Sequence, residues 1–182
     1  MKAVDLKTRF NKEIASQLMK DLGVKNAMAI PKLVKVVVNV GVGSYTKKHS
    51  KDFSHMTENL TAITGQKPVT STARKAISNF KLRENDPVGI RVTLRGKRMY
   101  DFINKLVNIV FPRVRDFRGI SAKAFDKKGN YSLGITEHTV FPEVAPDDLT
   151  KIHGLQVTII TSAENNEQGL ALLKALGFPF KK

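Results

Sequence analysis

The sequence predicts an α+β fold of two layers: a mostly antiparallel sheet of four to five strands, with helices on one face and a second face left open and polar. Three observations carry this. Hydrophobic periodicity switches between helix-like and strand-like in the order α-β-α-β-β-α-β-β-α, without the regular βαβαβ run of a doubly wound sheet. The strand candidates alternate apolar with polar side chains, as strands buried on one side do. Hydrophobic residues make up 41 % of the 182 positions, enough to fill a core.

The elements follow in order. Leu6, Phe10, Ile14, Leu18 and Leu22 recur at four-residue steps and predict a helix stopped by Gly23. "LVKVVVNV" is a strand from Leu33 to Val40. Phe53, Met56, Leu60 and Ile63 have helical spacing, with Gly65 as the stop. "QKPVTST" is a short strand and "VGIRVTLRG" a strictly alternating one. Met99, Phe102, Ile103, Leu106, Val107 and Val110 predict a second core helix that ends near Pro112. "RVRDFRGISAKAFDKKGN" is a long basic connection. "YSLGITEHTVF", interrupted by Gly134, and "LQVTIITSA" are strands, and residues 165–176 form a last amphipathic helix before "GFPFKK". The expected organisation is a single domain over residues 1–182. It has an N-terminal helix and linker (1–30), a sheet core (31–163) with basic loops at 71–86 and 112–130, and a C-terminal helix and tail (164–182).

Strand register says what each face carries, because side chains alternate across a strand. In the first strand Val34, Val36, Val38 and Val40 share one side, and Lys35 and Asn39 lie opposite with Leu33 and Val37. In "VGIRVTLR" Val88, Ile90, Val92 and Leu94 oppose Arg91, Thr93 and Arg95. In "LQVTIITS" Gln156, Thr158 and Ser162 oppose Leu155, Val157 and Ile159. A valine-rich core side therefore faces away from a side dressed in Lys, Arg, Asn, Thr and Gln. Such a face can donate hydrogen bonds to phosphates, ribose hydroxyls and base edges.

Charge points the same way. Lys and Arg number 31 against 16 Asp and Glu, a net +15 with a pI near 10.1, which marks a polyanionic partner. Residues 31–130 carry +14 of this and residues 131–182 carry −2, so the cationic surface belongs to the centre of the chain. No run approaches the ~20 apolar residues that cross a bilayer, and no basic amphipathic helix with bulky aromatics suggests a membrane surface. The charged start "MKAVDLKTRF" does not read as a secretory signal. The absence of cysteine excludes disulfides, thiol catalysis and thiolate metal sites, and suits a reducing cytosol.

Enzymatic motifs are weak. Gly41 and Gly43 in "NVGVGSYTKK" follow a strand, but Thr46 stands where G-x-G-x-x-G needs its third glycine, and no phosphate-loop lysine pattern occurs. Bulge glycines, or glycines that let a nucleic-acid backbone approach, fit better. His49, His55, His138 and His153 make no metal-binding pair and read as surface or sheet residues; no metal or cofactor is expected. The loop "STARKAISNFKLREN" is long and cationic, with Arg74, Lys75, Lys81 and Arg83. In "PRVRDFRG", Arg113, Arg115 and Arg118 could clamp phosphates, with Phe117 anchoring the segment. The middle of the chain reads β-α-β-β-α-β like an RNA-recognition motif. Its outward positions, however, are Arg91, Thr93 and Arg95, not the aromatic residues on which that module stacks bases. Folded RNA, met through backbone, 2′-hydroxyls and shape, suits this face better than stacked single strands.

"IPKLVKVVVNVGVG", "LTAITGQKPVTSTARKAISNFKLRENDPVGIRVTLRGKRMYDFINKLV", "FPRVRDFRGISAKAFDKKGNYSLGITEHTVFPE" and "ALLKALGFPF" together resemble the bacterial large-subunit ribosomal proteins of the L5 family. The resemblance runs from Ile30 to Phe180. It implies a non-enzymatic RNA-binding structural protein of the cytoplasmic ribosome, which binds 5S ribosomal RNA with a concave sheet face and helps attach it in the central protuberance. Carried over by motif, Asn39, Gln66, Phe80 and Thr93 are RNA-contact positions, to which the polar face adds Lys35, Gly41, Gly43, Arg91 and Arg95. The family's long loop, here with Arg74, Lys75, Lys81 and Arg83, reaches the peptidyl-site tRNA, and Phe80 is expected to pin its base. Further implied partners are large-subunit ribosomal RNA, neighbouring 5S-binding proteins and a small-subunit head protein of the S13 family. The acidic Glu143, Asp147 and Asp148 are candidates for the last contact.

Overall fold

The computed structural model of the chain describes residues 6–24, 26–48, 52–144 and 152–181. Its first helix, α1 (residues 6–22), joins two α-helical stretches, Leu6–Arg9 and Ala15–Leu22, through a wider π turn at Phe10–Ile14. Four residues exceed one α-helical turn, so a strict four-residue spacing drifts around the helix. The π turn absorbs that drift. Leu6, Phe10, Ile14 and Leu18 are all buried, and only Leu22, at the helix end, slips to half-buried. Gly23 then ends the helix in the left-handed region at φ +64°.

The remaining elements are β1 (Leu33–Gly41), α2 (Gly43–Lys48), α3 (Ser54–Thr64), β2 (Val69–Thr72), β3 (Pro87–Leu94), α4 (residues 96–113), β4 (Tyr131–Ile135), β5 (Leu155–Thr161) and α5 (Asn166–Ala175). The five strands form one mostly antiparallel sheet in the order β2-β3-β1-β5-β4, so the chain is α+β as the sequence predicts. Three details differ from the sequence reading. The one-and-a-half-turn helix α2 directly follows β1, where the "GVG" segment reads as a turn. Strand β4 runs through Gly134 and stops at Ile135, and residues His138–Val140 form a 3₁₀ turn instead of more strand. Helix α4 continues past Pro112 to Arg113, with a π turn at Leu106–Val110 just before the proline, which has no N–H to donate.

Two compact units can be distinguished. The first takes the chain up to Val36, Leu94–Leu133 and everything from Thr158 onward. Helices α1, α4 and α5 supply its core: Phe10 lies 6.2 Å from Tyr100 between ring centroids, and Leu18, Ile103, Leu106, Leu172 and Leu173 are buried. Its long basic connection is tied down at two points. Ile120 pairs with the tail, its N–H donating to the Pro179 carbonyl at 2.8 Å while Lys181 N–H donates back to the Ile120 carbonyl at 2.9 Å. The turn at 126–130 is held by the Asp126 carboxylate, which accepts from the N–H groups of Lys128 and Asn130 and from the Asn130 side chain at 2.7–2.9 Å. Those hydrogen bonds hold the exposed Asp126 carboxyl below its ordinary pKa. Tyr131, by contrast, is buried and donates its hydroxyl to the Ser121 carbonyl at 2.8 Å, and burial pushes its pKa up to about 12.

The second unit spans Val37–Thr93 and Gly134–Val157. Its core joins Val38 and Val40 of β1, Met56, Leu60 and Ile63 of α3, Ile90 and Val92 of β3, and Val157 of β5. Strands β2 and β3 pair antiparallel, Val69 against Arg91 and Ser71 against Gly89. The next pair is Thr72 with Pro87, which leaves Val88 as an extra residue. That bulge breaks the alternation. Val88, expected on the core side, is 40 % exposed, whereas Gly89 on the outward row is buried. Val34, also expected inward, is 47 % exposed at the start of β1, and Leu33 is buried instead.

Candidate nucleic-acid interface

Strand β3 sets the candidate surface in the second unit. Ile90 and Val92 are fully buried, which turns Arg91 and Thr93 outward; Arg91 is exposed and Thr93 half-buried. Strand β1 repeats the arrangement, with Asn39 half-buried between the buried Val38 and Val40. Gln66 follows the left-handed Gly65 that ends α3, and its amide Nε2 donates to the Thr93 carbonyl at 3.4 Å. Gln66 and Thr93, 27 residues apart, are thus brought together at one rim of this surface. Gly41 is exposed at the end of β1, and Gly43 opens α2, half-buried near Val88. Neither has a positive φ, so they are not turn glycines: what they provide is a low surface.

The loop between β2 and β3 is folded. Ala73 N–H donates to the Asp86 carbonyl at 2.9 Å and Asn85 N–H returns to the Ala73 carbonyl at 3.0 Å. The Asp86 carboxylate accepts from Arg83 N–H at 2.8 Å. Further out, Ile77 and Leu82 exchange two backbone bonds of 2.9 and 3.1 Å, and Lys81 closes the tip in the left-handed region at φ +49°. Arg74, Lys75, Lys81 and Arg83 are all exposed on this frame. The role expected of Phe80 at the base is corrected: it stands at the tip, 65 % exposed, beside Ile77 at 43 %. Backbone pairing, the Asp86 carboxylate and the buried Ala73 close the base, so no aromatic plug is needed.

The other cationic candidates belong to the first unit. Lys35 is half-buried on β1, and Arg95 is exposed in extended backbone just before α4. Arg113, Arg115 and Arg118 are exposed on a short segment pinned by Phe117, whose ring stacks on buried Phe111 at 5.1 Å and 10°. Phe111 in turn meets Phe178 edge to face at 5.8 Å. Glu143 is exposed in the second unit, and Asp147 and Asp148 lie outside the described residues.

Two histidines differ from their expected surface or sheet placement. His138 and His153 are buried in the second unit with rings stacked at 4.0 Å and 13°. His138 N–H donates to the His153 carbonyl, and His153 N–H donates to His138 Nδ1. Burial first of all lowers the His138 pKa, and the charge of His55 adds to this. Nothing in a lone His at position 138 signals such packing, since it depends on a partner 15 residues away. Among the described residues, no group of three or more His, Asp or Glu side chains is placed to hold a metal ion, and no helix is long and apolar enough to cross a membrane.

A family model for "Ribosomal protein L5" matches residues 26–83, and a model for the C-terminus of the same ribosomal family matches residues 87–180. The chain belongs to the ribosomal protein L5 family. It is similar to the large ribosomal subunit protein uL5 of Anaeromyxobacter sp. (strain Fw109-5), 53 % identical over 180 residues that cover 99 % of each chain. The uL5 of Fervidobacterium nodosum is 50 % identical over 179 residues (98 % of this chain, 97 % of that one). The uL5 of Psychrobacter arcticus is 52 % identical over 176 residues (97 % and 98 %). This L5 protein is therefore a structural constituent of the large ribosomal subunit and not an enzyme. The outward row on β1 and β3 and the cationic loop are surfaces of a ribonucleoprotein component, which accounts for its +15 charge.

Proposed function

We propose that this chain binds 5S ribosomal RNA with the outward row of the second unit and helps attach it to the large subunit. One observation carries the reading: Asn39, Arg91 and Thr93 face out from strands whose alternate residues are buried, and Gln66 is bonded to the Thr93 carbonyl at the rim. Amide and hydroxyl groups held on strands can read ribose and base edges, while Arg91 meets phosphate. Lys35, Arg95, Arg113, Arg115 and Arg118 add phosphate contacts to 5S or large-subunit RNA. The folded loop at 73–86 carries its four cations to the peptidyl-site tRNA. Glu143, with Asp147 and Asp148, contributes to a contact with a basic small-subunit head protein of the S13 family. Neighbouring 5S-binding proteins complete the set of partners.

Filter binding with 5S RNA tests the face. Asn39→Ala and Thr93→Ala should each weaken binding by about tenfold, the scale of one lost hydrogen bond to a charged or buried partner, with cooperative melting retained. Affinity that falls only in step with stability would assign both residues to the core instead.

A further inference from the structure

We infer that the RNA face extends across β5 to the edge strand β4, where Gly134 keeps the strand bare for an RNA backbone and the Gln156 amide stands beside it. This rests on the proposed RNA face and adds residues to it. Glycine inside a strand costs stability and marks a bulge, a tight bend or the close approach of another backbone. Of the chain's 12 glycines, Gly41 and Gly134 alone have neither a positive φ nor, chain neighbours aside, any atom within 4 Å of where a Cβ would stand. Gly41 ends β1, whereas Gly134 lies inside β4. The alternation of β4 runs through Gly134 unbroken, with Leu133 and Ile135 buried on either side of it, so no bulge accounts for the glycine. Gly89 is the contrasting case: a Cβ there would stand 3.2 Å from the Val40 carbonyl oxygen, and the protein's own packing explains it. At Gly134 the protein itself would accept a side chain, and the reason for its absence lies outside the chain.

Register shows what surrounds it. The Ser132 and Thr158 hydroxyls meet at 3.2 Å, and a Cβ on Gly154 would lie 3.1 Å from the Ile135 carbonyl oxygen and 3.7 Å from Thr136 Cα. Strands β4 and β5 therefore run antiparallel with Gly134 opposite Gln156. Both are exposed, on the side away from the buried Leu133, Ile135, Leu155 and Val157. Strand β5 lies between β4 and β1, so Gly134 is two strand spacings, about 10 Å, from the strand that carries Asn39. The outward row thus gains a stretch without a side chain next to an amide with two donors and an acceptor. RNA offers ribose hydroxyls and phosphate oxygens along its backbone, and the bare strand lets them come within reach of the Gln156 amide. A methyl group at residue 134 would hold them off without removing any group that could bond to RNA.

Thermal melting and 5S RNA binding, measured together on Gly134→Ala, Gly134→Val and Gln156→Ala, test this. Replacing a strand glycine should leave Tm unchanged or raise it by up to about 4 °C, since alanine and valine suit a strand better. Affinity should move the other way. It should fall about tenfold for Gly134→Ala and for Gln156→Ala, the scale of one lost hydrogen bond, and further for Gly134→Val. Opposite signs set this apart from a structural role, in which stability and binding fall together. Parent affinity in Gly134→Val or in Gln156→Ala, or a Tm that falls in Gly134→Ala, overturns the inference. Asn39→Ala, run alongside, tells the two failures apart. If it weakens binding while the Gly134 and Gln156 variants do not, the RNA face stands without β4. If all of them bind as the parent does, the RNA-face proposal has failed and takes this inference with it.

Discussion

A Cβ on Gly169 would stand 2.6 Å from the carbonyl oxygen of Gly129, so α5 meets the 126–130 turn backbone against backbone. The turn cannot easily retreat. Asn130 Oδ1 accepts from Thr161 N–H at 3.0 Å, and the Thr161 hydroxyl donates to the Gly129 carbonyl at 2.9 Å. Gly129 N–H donates to the Asn166 side chain at 3.2 Å, and a Cβ on Gly129 would meet the Asn165 carbonyl oxygen at 2.6 Å. In an open helix, Gly→Ala stabilises by about 1 kcal/mol. Here Gly169→Ala should destabilise by about 1–3 kcal/mol through overpacking, which lowers Tm by roughly 2–4 °C per kcal/mol in a chain of this size. Thermal melting by circular dichroism reads the sign directly, and a rise in Tm would refute the close approach.

The buried histidine stack makes stability depend on pH. His138 is packed on His153, with His55 and Tyr45 as further titratable neighbours: His55 is centred 6.3 Å from His153, and Tyr45 5.1 Å from His55. The native His138 pKa lies below 6.5, so its contribution is complete above the unfolded value. As pH falls from about 7 toward 5 the unfolded state takes up the proton first, and stability is lost progressively down through the native pKa. The melting temperature should therefore fall over that range. His138→Phe, which can keep the stack, should reduce the fall. A variant with the same pH profile as the parent would show that other groups cause it.

Much of the fold is legible in the sequence because it follows periodicity. Leu6, Phe10, Ile14 and Leu18 mark α1, and the alternation around Arg91 and Thr93 is enough to place both residues outward. What escapes depends on partners distant in sequence. The exposure of Val88 follows from the bulge against Ser71 and Thr72 in the neighbouring strand. Gly89 carries no local signal either, because what crowds it is the Val40 carbonyl and, at ordinary contact distance, the Asn39 side chain of β1. Phe80 departs from its expected place for a related reason. An aromatic residue in a cationic loop suggests an anchor, but backbone bonds between Ile77 and Leu82 and between Ala73, Asn85 and Asp86 already hold the loop.

That self-sufficiency makes the loop separable from the RNA face. Arg74, Lys75, Lys81 and Arg83 contribute charge, and the bonds that shape the loop are made by the backbone and by the Asp86 carboxylate. Arg74→Gln, Lys75→Gln and Arg83→Gln with Lys81→Asn should therefore leave the frame intact. Asparagine is chosen because Lys81 sits at φ +49°, which asparagine tolerates. If the face on β1 and β3 holds 5S RNA, the fourfold variant should keep its 5S affinity and its salt dependence, since each phosphate contact contributes about −0.7 to −0.9 to the log–log slope. On assembled ribosomes the same variant should bind peptidyl-site tRNA more weakly, most visibly at low salt where exposed charges act furthest. Filter binding with 5S RNA over a salt series, paired with tRNA occupancy on ribosomes carrying the variant, separates the two roles. A shallower 5S slope would move the loop onto 5S RNA, and unchanged tRNA occupancy would end its assignment to the peptidyl site.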